Sequence, residues 1–95
     1  MHAVRVRAFG PPEVLRVEKV PVPRPSRGHV LVRVKAAGVN PVDTYVRAGT
    51  YSELPALPYT PGSDAGGIVD ALGPRYDGGL AIGQRVYTAG SITGT

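Results

Sequence analysis

The sequence predicts a mainly β unit carrying one short helix, and three features predict it. Valine-rich segments alternate with charged residues at period two from Ala3 to Ala8 and from His29 to Ala37. Glycine and proline, 13 and 10 of the 95 residues, cut the chain into short runs. A single stretch, Asn40 to Gly49, carries both the start and the stop marks of a helix. Roughly six short strands against one helix give a β-dominated fold.

Each element has its own reason. Val4, Val6 and Ala8 point one way and Arg5 and Arg7 the other, the pattern of a half-buried strand that Gly10-Pro11-Pro12 stops. Val14 to Val20 alternates less cleanly and reads as the hairpin partner of that strand. Pro21, Pro23 and Pro25 have fixed φ and no N–H, so this stretch runs extended along an edge or surface. His29 to Ala37 sets Val30, Val32, Val34 and Ala36 on one face and reads as a core strand. In the helix that follows, Asn40 suits the N-cap, Pro41 the first helical position, Asp43 the positive end and Gly49 a left-handed exit. Tyr51 to Pro61 holds three prolines and reads as an ordered surface loop. A further strand covers Ile68 to Gly73, with Gly66 and Gly67 as close-approach or bulge positions before it. Arg75 to Gly83 is a Gly-rich turn, and Gln84 to Thr88 is a last strand with Val86 inward. The tail from Ala89 to Thr95 carries no helix signal and reads as the start of something longer.

Composition removes several function classes. Arg, Lys, Gly or Pro interrupts every apolar run well short of the roughly 20 residues of a membrane-spanning helix. With no cysteine there is neither a disulfide frame nor a thiolate metal site, and the opening Met1-His2-Ala3-Val4-Arg5 lacks the core of a signal peptide. The expectation is therefore a soluble cytoplasmic protein with no membrane partner. Eleven Lys and Arg against seven Asp and Glu leave a formal charge of +4. The basic residues are dispersed, without runs or interleaved aromatics, and read as a solvated sheet face in preference to a nucleic-acid site.

Three segments in order, AVRVRAFGPPEVLRV, VLVRVKAAGVNPVDTYVRAGTY and LPYTPGSDAGGIVDALG followed by GQRVY, resemble the N-terminal part of the zeta-crystallin-type NADPH:quinone oxidoreductases of the medium-chain dehydrogenase/reductase superfamily. The resemblance implies a partial GroES-like β-barrel, residues 1–95 forming an incomplete N-terminal catalytic domain. It places the Rossmann domain outside this chain, which contains no strand, Gly-rich turn and helix of the dinucleotide-binding kind. By itself such a chain is expected to be inactive. The implied activity of the parent is electron transfer from NADPH to a quinone in one-electron steps that release a semiquinone, by a cytoplasmic homo-oligomer, dimer or tetramer.

Zinc alcohol dehydrogenases of that superfamily carry a Cys ligand where this sequence aligns Asn40 and a His-Glu pair where it has Ser63-Asp64, so the resemblance implies that no metal is bound. A quinone carbonyl is already electrophilic and needs hydrogen-bond donors where an alcohol needs a Lewis acid. The resemblance points to Asn40 and Tyr51 as catalytic and to Tyr45 and Asn40 as contacts of the NADPH nicotinamide, with Tyr45 able to face the same cleft as Asn40. Each has an alternative: Asn40 as N-cap only, Tyr45 packed on the barrel, Tyr51 as a packing anchor. Asp43 reads as helix-end electrostatics and not as a proton donor. Asp64 is expected to orient a backbone amide, Ser63 and Thr60 belong to turn chemistry, and His2 and His29 are exposed end residues. Two rival functions remain: an NADPH-dependent enone or enal reductase, and a module that uses its basic surface on RNA.

Overall fold

The computed structural model describes residues 1–89; the expectation for the tail falls largely on 90–95, outside the described residues. Five strands and one α-helix are formed among the described residues: β1 (His2–Val6), β2 (Leu15–Lys19), β3 (Val30–Ala37), α1 (Pro41–Ala48), β4 (Asp64–Leu72) and β5 (Arg85–Ala89). They fall into two units. The described residues of the first are Met1–Val22 and Val39–Gly62, those of the second Pro23–Gly38 and 63–89. No helix among the described residues is long and apolar enough to cross a membrane.

In the first unit β1 and β2 form the expected antiparallel hairpin, in register from His2 opposite Lys19 to Val6 opposite Leu15. Its open end is closed by Val20 donating to the Met1 carbonyl at 2.8 Å while the terminal ammonium donates to the Val20 carbonyl at 2.8 Å. The first strand stops at Val6, two residues short of the period-two pattern, because Val6 exchanges backbone hydrogen bonds with Tyr59 at 2.9 and 3.0 Å and the chain then bends toward Gly10. Pro12–Val14 makes a 3-10 turn before β2, an element the alternation did not reveal. Arg5 lies directly opposite Arg16, an unfavourable cross-strand pair. Glu18 accepts from Arg7 Nε at 2.8 Å and Nη2 at 2.7 Å. These bonds, reinforced by the charges of Arg7, Arg5 and Arg16, hold the Glu18 carboxyl below the usual carboxylate range and push the Arg7 guanidinium up. Both groups are solvated, so the pair adds little stability.

The second unit is a three-stranded antiparallel sheet in the order β3-β4-β5. Here one expectation is corrected: β3 is an edge strand with its C-terminal half exposed, and Val34 retains 53% of its surface. Two bulges explain the difference. Between Leu31 and Val32 the partner strand carries the extra residue Asp70, and between Val34 and Ala36 the extra residue is Lys35 of β3 itself. A bulge breaks the strict alternation on which the core reading rested. Asp70, freed from the ladder, takes Arg33 Nη2 at 3.2 Å on the exposed surface. Gly66 and Gly67 lie inside β4 at the second bulge, as expected, and β4 begins four residues earlier than the apolar run Ile68 to Gly73 suggests. Arg7 and Arg16 are exposed in the first unit, and Arg33 and Lys35 in the second. The buried apolar side chains among the described residues are Val6 and Tyr59 in the first unit and Val69 in the second.

Gly67 is a point of close backbone approach. A Cβ there would strike the Arg33 carbonyl and lie 3.0 Å from Val32 Cγ1, whereas one on Gly66 would meet nothing nearer than the Val86 carbonyl oxygen at 3.9 Å. Gly67→Ala in the full-length protein is therefore expected to lower unfolding stability by about 2 kcal/mol, and Gly66→Ala to change it by less than about 0.5 kcal/mol, read from denaturant midpoints. Equal midpoints for the two variants would contradict this packing.

Candidate functional site

Asn40, Tyr45 and Tyr51 all belong to the first unit and are all presented by α1 and its exit. The helix forms as its punctuation predicts. Asn40 is N-cap with φ −119° and ψ 155°, Pro41 opens the first turn, and Gly49 ends the helix in the left-handed region at φ 81°. Asn40 and Asp43 close a capping box, with the Asn40 N–H donating to Asp43 Oδ2 at 2.8 Å. Asp43 thus serves the helix start, as expected of it, and the half-buried Asn40 has the capping role that was one of its two readings.

Tyr45 is 55% exposed and Tyr51 45% exposed, and among the described residues neither hydroxyl has a hydrogen-bond partner. The link between them is Thr50. Its N–H donates to the Tyr45 carbonyl at 3.0 Å and its hydroxyl to the same oxygen at 3.3 Å, so Tyr51 leaves the helix one residue from an atom of Tyr45. Asn40, the N-cap in extended conformation, and Tyr45 are five positions apart, about 140° around an ideal helix axis. Asn40 caps α1, Tyr45 lies within it and Tyr51 follows its exit, the two tyrosines linked along the backbone through Thr50.

Beneath that exit lies a residue whose burial sequence reasoning missed. Tyr59, in the Pro-rich loop read as surface, is 7% exposed and packs its ring 6.3 Å from that of Phe9 at 37°. Its hydroxyl is buried without a hydrogen-bond partner. Loss of water pushes its pKa up, opposed by the charge of Arg47 and supported by that of Asp43. The available signal was the sequence Leu57-Pro58-Tyr59-Thr60-Pro61, an aromatic held between two prolines.

In the second unit Asp64 sits at the start of β4, its carboxylate against the α-carbon of Gly38, while its backbone carbonyl accepts from the Gly38 N–H at 3.1 Å. A shallow groove of about 450 Å³ opens there over Ala36, Ala37 and Gly66, walled by Asp64, Tyr87 and Thr88. Asn40, Tyr45 and Tyr51 do not line it. Ser63 is half-buried beside Asp64, and Thr60 and His2 enter no described site. His29 is exposed, with Nδ1 at 3.0 Å from the Arg27 carbonyl. Among the described residues no three His, Cys, Asp or Glu side chains come together as metal donors.

The chain matches the alcohol dehydrogenase GroES-like domain over residues 26–95. The human quinone oxidoreductase is 52% identical over 95 residues, covering 99% of this chain and 29% of that protein. Among solved structures, the Escherichia coli quinone oxidoreductase complexed with NADPH superposes with a TM-score of 0.88 at 34% identity, over 97% of this chain and 28% of that one. A mycobacterial quinone oxidoreductase gives 0.86 at 41% identity, over 95% and 28%. The chain thus spans less than a third of the length of these relatives.

A buried phenol with no partner gives nothing to stability through its oxygen. Tyr59→Phe is expected to leave the stability of the full-length protein at pH 7 unchanged or raised by up to about 1 kcal/mol. Because the folded state raises the Tyr59 pKa, its contribution is intact below the ordinary tyrosine value and is lost as pH climbs through the folded one. The variant should therefore lose less stability between pH 9 and 11 in urea titrations. A clear loss at pH 7 would show that the hydroxyl is satisfied.

Proposed function

Because the chain belongs to the alcohol dehydrogenase GroES-like domain family, we propose that residues 1–95 are an incomplete GroES-like domain at the N-terminal end of a zinc-independent, NADPH-dependent quinone reductase. The observation that carries this reading is the pair of exposed phenols, Tyr45 and Tyr51, flanking one helix exit with both hydroxyls unengaged among the described residues. A donor such as the Tyr51 hydroxyl is what a quinone oxygen requires, since reduction loads negative charge onto it and a hydrogen bond preset at that position strengthens as the charge grows. The names of the relatives, quinone oxidoreductases, and the NADPH of the E. coli complex support the same chemistry.

The residues present fit the nicotinamide end of NADPH and not its phosphates. Tyr45 offers an exposed ring face and a phenol to a flat ring and its carboxamide, and Asn40 adds a polar rim at the helix start. No Gly-rich turn between a strand and a helix occurs among the described residues, so the pyrophosphate is assigned to other parts of the parent. NADPH, when bound, would supply the reducing equivalents, two electrons per molecule shared between two quinones. Tyr51 donates to the quinone oxygen, Tyr45 orients the ring that faces it, and Asn40 holds the start of the helix that carries them. Zinc is dispensable in this reading because Asn40 and Ser63 are poor ligands and the sequence has no cysteine.

The full-length parent is expected to oxidise NADPH in the presence of a quinone, followed by loss of nicotinamide absorbance. Removing both hydroxyls, Tyr45→Phe with Tyr51→Phe, should lower kcat/KM at least about tenfold while the folded fraction is kept. In competition the quinone should outrun an α,β-unsaturated ketone. Absence of turnover with any quinone, or an unchanged rate in the double variant, would refute the assignment.

A further inference from the structure

Arg47 holds one neighbour twice. The Gly10 N–H donates to the Arg47 main-chain carbonyl at 2.8 Å, and Arg47 Nη1 donates back to the Gly10 carbonyl at 3.0 Å, across 37 residues of sequence. This closed pair fastens the last turn of α1 to the segment that leaves β1. A second point of contact lies two residues on, where Gly49 comes so close to Phe9 that a Cβ would lie 3.0 Å from the Phe9 Cβ. The half-buried guanidinium also lies near enough to the buried Tyr59 hydroxyl to act on it electrostatically.

Helical geometry decides what this does for the site. Arg47 is two residues from Tyr45, about 200° around the axis, so a guanidinium fastened on the inner side sets Tyr45 on the outer side. It is four residues before Tyr51, with Thr50 tied back to the Tyr45 carbonyl between them. Rotation or fraying of the last turn would therefore move both phenols together. We infer that Arg47 is a positioning residue for quinone reduction, fixing Tyr45 and Tyr51 relative to the segment that leaves β1 through its paired hydrogen bonds with Gly10. This rests on the quinone-reductase reading for its reaction, but the geometry it asserts is measurable without turnover.

A side chain that merely fills space and one that aims two phenols differ in what they change. In the full-length parent, Arg47→Met keeps the aliphatic stem and loses the donor. Expected are a fall in quinone kcat/KM of about tenfold with a raised quinone KM, an unchanged affinity for NADPH, and recovery of most of the loss in Arg47→Lys. In the same samples, the ring resonances of Tyr45 and Tyr51, assigned through their Phe variants, should shift in Arg47→Met and return toward wild type in Arg47→Lys. If Arg47→Met does not fold, Arg47→Gln takes its place in both measurements. Folded variants with unshifted tyrosine resonances overturn the inference, whatever the turnover. Shifted resonances with unchanged quinone kinetics overturn it as well. If the wild type reduces no quinone but the resonances shift and are rescued, the positioning stands and the proposed function falls.

Discussion

The end of one two-turn helix governs what the first unit can do. Gly49 adopts a left-handed conformation that a side chain would strain, and it does so in van der Waals contact with Phe9. Phe9 in turn rests beside Tyr59, and Tyr59 is tied by backbone hydrogen bonds to Val6, the fully buried residue at the end of β1. A continuous chain of contacts therefore runs from the strand core to the helix exit. An eight-residue helix has little stability of its own. Its direction is set by that packing, and the exposed phenols inherit their positions from it.

Polar groups in the first unit divide the labour. Asn40 and Asp43 satisfy backbone donors at the helix start, Thr50 satisfies the Tyr45 carbonyl at its end, and Glu18 offsets a line of arginines on the hairpin. Among the described residues, the phenols of Tyr45 and Tyr51 take no part in this arrangement. A free, exposed donor beside an ordered backbone is inexpensive in the resting state and useful when charge develops nearby. Tyr59 shows the opposite case: its phenol is sealed in, and its value to the fold lies in its ring.

How much of this the sequence disclosed follows from the range of each interaction. The helix was legible from Asn40 to Gly49 because caps and a left-handed exit are local signals, and the β1–β2 hairpin was legible because its partners are close in sequence. The place of Gly67 was legible because a glycine pair inside an apolar run marks a bulge or a close approach, and the contact with Arg33 is that approach. The edge position of β3 was not, since two bulges, at Asp70 and Lys35, undo the period that suggested a core strand. Nor was the burial of Tyr59, which depends on a bridge to Val6, or the role of Arg47, which depends on Gly10. Those pairings are set by tertiary structure. Of the site residues, Asn40, Tyr45 and Tyr51 came from family resemblance, and only their common element was foreseeable from helical periodicity.

The central claim of the proposed function is that two phenols serve the transfer in place of a metal ion, Tyr51 at the oxygen of the electron acceptor and Tyr45 at the nicotinamide. A crystal structure of the full-length protein with NADPH and a non-reducible quinone analogue tests it directly. The account requires the Tyr51 hydroxyl within about 3 Å of an analogue oxygen, the Tyr45 phenol against the nicotinamide, and no metal at the acceptor. Both phenols turned to solvent with the analogue bound elsewhere, or a stoichiometric metal ion on its oxygen, would contradict it.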